Sequence, residues 1–152
     1  MLEGGTMAEI KKILVPYDFS EDSRAALELA ATFAKQFDAH LTLLHCYQNA
    51  VPDAAALDLD APDQFFHALK KAASEKLEVV REALHAEDLV VSTKVRANVP
   101  SEAIREIAEE MPADLIVMGT RGISGLKHVI VGSVAERTVR GAPCPVVTVK
   151  AD

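Results

Sequence analysis

Apolar positions along the chain follow two periods that take turns. Ile10 to Pro16 (IKKILVP) is a short aliphatic and β-branched run stopped by a proline, the pattern of a first strand. Ser20, followed by Glu21 and Asp22, reads as a helix N-cap with an acidic first turn, and Ala26, Leu29, Ala30, Phe33 and Phe37 then recur at helical spacing. His40 to Tyr47 is apolar on both faces, as a strand covered from both sides requires. Gln48 to Asp63, with Pro52, Pro62, Asp53, Asp58, Asp60 and Asp63, breaks the pattern and reads as a solvated acidic loop. Phe66, Leu69, Ala73, Leu77, Val80 and Leu84 define a long second helix. Leu89 to Arg96 alternates, with one mostly polar face, and is placed near a sheet edge. Pro100 and Ser101 open a third helix with Ile104, Ile107, Ala108 and Met111 inward, and Asp114 to Met118 is a continuously apolar fourth strand. A glycine-bearing loop from Gly119 to Gly132, a helix from Ser133 to about Arg140 and a strand from Val146 to Val149 complete the chain.

Strand and helix alternate with short connections, which is the logic of a parallel sheet with helices on both faces. The expectation is one α/β, Rossmann-like open sheet over residues 10–152, behind a short glycine-bearing leader at 1–9 that is left out of the fold. In such a sheet, ligands bind beyond the carboxyl ends of the strands, so the residues just after strands carry the information.

Composition narrows the function. With 152 residues, 49% apolar, and a mean hydropathy of +0.12, the chain can bury a core and is no disordered tail. A formal charge of −7 has the wrong sign for a protein that neutralises phosphodiester backbones, and an aromatic content of 5% without tryptophan argues against base-stacking platforms. No apolar run approaches the ~20 residues of a membrane span. Cys46 and Cys144 are far apart and form no CxxC, which fits free thiols in a reducing, cytoplasmic setting.

Two segments lie where ligands are expected. One is Gly119-Thr-Arg-Gly122, then nine residues, then Gly132-Ser133-Val134 at the start of the fourth helix. Glycines let phosphate oxygens approach backbone N–H groups, and a helix N-terminus offers unpaired N–H groups and a favourable dipole. Residues 115 to 135 contain no Asp or Glu, where average density would place about three, but do contain Arg121, Lys127 and His128. A competing reading needs no ligand: Ser133-Val-Ala-Glu136 is a good capping box. The loop is not a Walker A sequence, and no GxGxxG follows the first strand. The other segment is Pro16-Tyr17-Asp18-Phe19-Ser20, where Asp18 either accepts from ribose hydroxyls or serves only as a turn residue.

Ile13-Leu-Val-Pro-Tyr-Asp-Phe-Ser20, Leu43-Leu-His-Cys46, Val99-Pro-Ser-Glu-Ala-Ile104, Asp114-Leu-Ile-Val-Met-Gly-Thr-Arg-Gly122, Gly132-Ser-Val134 and Cys144-Pro-Val-Val147 together resemble the universal stress protein family. The loop fits the G-x2-G-x9-G-(S/T) pattern of its nucleotide-binding branch. The resemblance implies a strand order of 3-2-1-4-5, and a homodimer paired through the fifth strand (Val146, Val147, Thr148, Val149). It also implies bound ATP, or AMP or ADP, with Mg²⁺ or Mn²⁺ held through the phosphates rather than by side chains. Carried across, it sets Pro16, Tyr17 and Asp18 near base and ribose, with the backbone of Cys46 against the adenine edge. Val99 and Pro100 would wall the base, and Met118 and Gly119 would flank the ribose. Arg121, Gly122, Gly132, Ser133 and Val134 would surround the phosphates. Tyr17 stands where many members have a small residue, so its phenol is expected to stack near the base or narrow the pocket.

No residue set supplies a nucleophile with its base. Ser133 has no sequence-evident histidine partner, and the segment from Tyr17 to Ser23 lacks the SGGxDS-type loop of related ATP-pyrophosphatases. His40 and His45 face opposite sides of one strand and cannot share a metal, and His45 reads as a hydrogen-bonded core histidine. The expected function is a nucleotide-dependent regulatory protein and not an enzyme. The alternatives are a slow ATPase in the same pocket, or a dimeric interaction module with AMP, cyclic AMP or no nucleotide.

Overall fold

A computed structural model describes residues 8–47, 62–122 and 131–152. The elements in chain order are β1 (Lys12–Pro16), α1 (Glu21–Phe37), β2 (His40–Cys46), α2 (Pro62–His85), β3 (Val91–Arg96), α3 (Pro100–Glu110), β4 (Leu115–Gly119), α4 (Ser133–Gly141) and β5 (Val146–Val149). The strands form one five-stranded sheet in the order β3-β2-β1-β4-β5. Every pairing is parallel, with Ile13 opposite Leu41 on one side of β1 and opposite Leu115 on the other. This is the α/β class read from the alternation and the strand order that the resemblance implies.

The period of two along β1 divides the core into two layers. Ile13, Val15 and Tyr17 point to one face, where they join Ala26, Ala30 and Ala34 of α1 and Leu77 and Leu84 of α2. Leu14 points to the other face with Leu44, Ile116, Ile104 and Ile107. The alanine stripe of α1 lets that helix lie close on the sheet. The approach is so close that a Cβ on Gly119 would stand 2.8 Å from the Asp22 backbone carbon.

Some boundaries differ from the sequence reading for identifiable reasons. β1 starts at Lys12 instead of Ile10, because the N–H groups of Lys11 and Lys12 donate to the Asp114 carboxylate, both at 2.9 Å. α2 begins already at Pro62, a residue suited to a first helical turn. β4 runs on to Gly119 because that residue pairs with Val149. Of the proposed acidic loop, residues 48–61, with Asp53, Asp58 and Asp60, lie outside the described residues. Lys127 and His128 do too. Among the described residues, no helix is long and apolar enough to cross a membrane.

Candidate functional site

β1 delivers its last residues to the carboxyl edge of the sheet, where the Tyr17 N–H still donates to the Leu44 carbonyl at 2.8 Å. The chain then turns sharply. The Asp18 carboxylate accepts from the Ser20 N–H at 3.0 Å, Phe19 takes a left-handed φ of 65°, and the Ser20 hydroxyl caps α1 by accepting from the Ser23 N–H. β4 ends beside it at Gly119. A Cβ on Gly122 would lie 2.9 Å from Oδ2 of Asp18, so the carboxylate rests directly against the loop after β4.

A cavity of about 440 Å³ opens at this edge. It is lined by Pro16, Tyr17 and Asp18 after β1, Ser23 of α1, Leu44 and Cys46 of β2, and Pro100 and Ile104 of α3. Met118 to Gly122 and Gly132 to Ala135 complete the wall. The structure thus gathers Pro16, Tyr17, Asp18, Cys46, Met118, Gly119, Arg121, Gly122, Gly132, Ser133 and Val134 around one space. Val99, expected in the wall, is instead half exposed as the residue before α3, and Pro100 and Ile104 take its place. Ser23, Leu44, Ile104, Thr120 and Ala135 were missed. Leu44 shares a strand face with Cys46, and Ile104 lies one helical turn beyond Pro100, so both periods held the signal.

At α4 the two readings of the loop can be separated. Ser133 is not the cap but the first helical residue; the N-cap is Gly132, which makes no side-chain cap bond. Glu136 does not reach back as a capping box requires, because its carboxylate pairs with Arg140 at 2.9 Å. The Gly132 N–H is already used, donating to the Thr120 carbonyl at 2.6 Å. Among the described residues, nothing accepts from the N–H groups of Ser133, Val134 and Ala135, and all three residues line the cavity. The first turn of α4 therefore presents to the cavity the positive end of its dipole and N–H groups that have no acceptor among the described residues.

Arg121 departs from expectation. Its guanidinium is held by Asp22, with Nε 3.1 Å from Oδ2 and Nη2 3.0 Å from Oδ1. The same carboxylate, only 3% exposed, also accepts from the Thr120 hydroxyl, the Arg121 N–H and the Ala151 N–H. The Arg121 guanidinium keeps the Asp22 carboxyl far below the usual carboxylate range; burial opposes this, and the other three donors reinforce it. The positive charge read from Arg121 is therefore largely neutralised within the protein.

Tyr17 also corrects an expectation. It borders the cavity, but its ring belongs to the core layer under α1 and α2, edge-on to Phe19 with centroids 4.9 Å apart. The apolar wall (Leu44, Ile104, Met118) belongs to the opposite layer, so the phenol does not narrow it. Phe19 packs in turn on His45, whose Nδ1 lies 2.8 Å from the Tyr17 carbonyl, and His40 Nε2 lies 2.8 Å from the Ser92 hydroxyl. Burial pushes the Cys46 thiol up to about 11 against the opposing charge of Arg96, and burial raises Cys144 as well. Among the described residues, no cluster of three or more His, Cys, Asp or Glu side chains could hold a metal ion.

The sequence profile of the universal stress protein family matches residues 9–150. The chain is 37% identical over 141 residues to universal stress protein MJ0531 of Methanocaldococcus jannaschii, covering 92% of this chain and 82% of that protein. Its fold is similar to the solved structure of hypothetical protein MJ0577, with a TM-score of 0.83, 29% identity, and coverage of 95% of this chain and 98% of that one. More distant solved structures share the fold at a TM-score of 0.63. One is a universal stress protein in complex with cAMP, 22% identical, covering 91% of this chain and 95% of that one. The other, from Archaeoglobus fulgidus, is in complex with dAMP and 20% identical, covering 95% of this chain and all of that one. Profile, relatives and fold agree that this chain belongs to the universal stress protein family.

Proposed function

We propose that the cavity at the carboxyl edge of the sheet binds an adenine nucleotide, and that occupancy regulates the protein's role in a stress response. The observation that carries this reading is the uncapped first turn of α4, where Ser133, Val134 and Ala135 offer N–H groups to the cavity with no partner among the described residues. An anion at a helix N-terminus can accept from several such N–H groups at once and meets the positive end of the dipole. The rest of the wall suits the remainder of a nucleotide. Leu44, Cys46, Pro100, Ile104 and Met118 offer an apolar surface for a base, and Asp18 offers a carboxylate for ribose hydroxyls. The volume falls within the ~300–1,000 Å³ common for small-molecule sites. The dAMP and cAMP complexes of two proteins with this fold support the same ligand class.

In this reading Asp18 faces the ribose, Met118 and Gly119 flank it, and Pro16, Tyr17 and the backbone at Cys46 border the base. Gly122, Gly132, Ser133 and Val134 surround the phosphates, with a divalent cation carried in on the phosphate oxygens. The role in this reading is regulatory, as expected from the sequence. We also propose that two copies pair through β5, the last strand of the sheet, and that the protein works in the cytoplasm.

The test is to denature the purified protein, analyse the supernatant by mass spectrometry, and titrate the emptied, refolded protein with ATP and GTP in the presence of Mg²⁺. Retained adenine nucleotide is expected, with GTP at least about tenfold weaker. Guanine reverses the donor and acceptor at the edge facing the strand, and each mismatch costs about 1–3 kcal/mol. Equal affinities would overturn the adenine assignment, and binding of neither would overturn the nucleotide site itself.

A further inference from the structure

The carboxylate of Asp22 receives more hydrogen bonds than its place in a first helical turn requires. Five N–H or O–H groups from two distant stretches converge on its two oxygens: two from the Arg121 guanidinium, one each from the Arg121 N–H and the Thr120 hydroxyl, and one from the Ala151 N–H. The fork of Arg121 is satisfied in the bidentate geometry that a phosphate would otherwise claim. Its side chain is 22% exposed and borders the cavity, so it lies within the site while committed elsewhere.

We propose that Asp22 is a positioning residue that withholds Arg121 from the phosphates, leaving their recognition to backbone N–H groups at the start of α4. This inference rests on the nucleotide reading of the cavity and adds what sets its selectivity. A guanidinium on the phosphates would favour a triphosphate over a monophosphate strongly and in a salt-dependent way. Neutral N–H donors discriminate by the number of phosphates far less. The clamp therefore makes the site tolerant of phosphate count, with Arg121 serving to order the loop after β4.

Calorimetric titration of ATP and AMP at two salt concentrations tests this in the full chain and in R121Q, D22N and the double variant D22N/R121Q. R121Q, which loosens the loop for both ligands, is expected to leave the ATP-to-AMP affinity ratio within twofold of that of the unsubstituted protein. D22N frees the guanidinium and is expected to raise the ATP-to-AMP affinity ratio at least threefold at low salt. That gain should shrink at high salt and vanish in the double variant. The ratio cancels any loosening of the loop that weakens both ligands alike. A fivefold or greater loss of ATP affinity in R121Q with AMP unchanged would make Arg121 a phosphate ligand and overturn the proposal. So would an unchanged ratio in D22N, or a gain that survives in the double variant. Should the variants fail to fold, the Arg121 Nε–H resonance of the unsubstituted protein decides. It should stay in place on saturation with ATP, and a large shift overturns the clamp. Absence of binding by the unsubstituted protein would remove the nucleotide reading and this inference together; a loss in R121Q confined to ATP removes only this one.

Discussion

Two glycines three residues apart make opposite predictions. At Gly119 an added Cβ would stand 2.8 Å from the carbonyl carbon and Cβ of Asp22 and 2.9 Å from the Ser23 nitrogen. Two of these atoms are backbone in the first turn of α1, a helix packed along the sheet, so several tenths of an ångström must be found by moving the helix. Overpacking of this kind costs about 1–3 kcal/mol, and the smaller entropy of unfolded alanine returns about 0.4–1 kcal/mol. Gly119→Ala should therefore lose about 1–2 kcal/mol, a Tm lowered by roughly 2–8 °C at 2–4 °C per kcal/mol for a chain of this size. At Gly122 the Cβ would meet, among the described residues, only Oδ2 of Asp18, at 2.9 Å, the far end of a side chain that can rotate. Gly122→Ala should leave Tm within about 2 °C while weakening adenine nucleotide binding about fivefold or more, because the displaced carboxylate no longer faces the ribose. Scanning calorimetry without nucleotide, at one protein concentration, and titration calorimetry with AMP read the two quantities separately. A stable Gly119→Ala together with a destabilised Gly122→Ala would refute the reasoning from approach distances.

Three further outcomes are expected. The folded-state pKa of Asp22 is depressed, so the stability its carboxylate supplies is full above its unfolded pKa near 3.9 and is lost as pH falls toward the folded value. Urea unfolding should show a gap between the unsubstituted protein and D22N that is constant from about pH 8 to 5 and narrows below about pH 4; a gap that stays constant to pH 3 would count against it. With its thiol pushed up to about 11, Cys46 is about one-thousandth thiolate at pH 8, so iodoacetamide should label it slowly in the native protein and rapidly once unfolded, as followed by mass spectrometry. Light scattering should give the mass of a dimer that pairs through β5, and a monomer at every concentration would exclude that pairing.

What could be read from the chain and what could not divide along the range of the interactions. The periods of two and 3.6 are local, so nine elements and both core layers were legible from the residues themselves. Tyr17 could have been placed too: it shares parity with Ile13 and Val15, and that parity sends its ring to the α1 face. The glycine spacing marked the loop because Gly119 and Gly122 lie against neighbouring backbone and carboxylate. Asp22 was beyond reach, since its partners lie 98, 99 and 129 residues away and nothing near it in the chain distinguishes it from an ordinary first-turn acid. The capping box at Ser133 failed for a different reason. The motif is purely local, and the long-range bond from the Gly132 N–H to the Thr120 carbonyl, together with the turn it fixes, set the cap one residue earlier.

The strand order has a consequence for how the molecule comes off the ribosome. The first strand made, β1, lies at the centre of the sheet, and its two neighbours arrive at very different times. β2 and β3 can join it once residue 96 has emerged, leaving one side of β1 open until Leu115 and Ile116 appear to pair with Ile13 and Leu14. During that interval the nascent half-sheet carries an unpaired margin in which Ile13, Leu14 and Val15 are apolar, the kind of edge that captures other chains. The cavity draws on segments from Pro16 to Ala135, so no partial chain can form it. Ligand present during synthesis would stabilise only finished molecules, by about 2.7 kcal/mol at a hundredfold excess over Kd, and would act as a check on completion and not as an aid to the early steps.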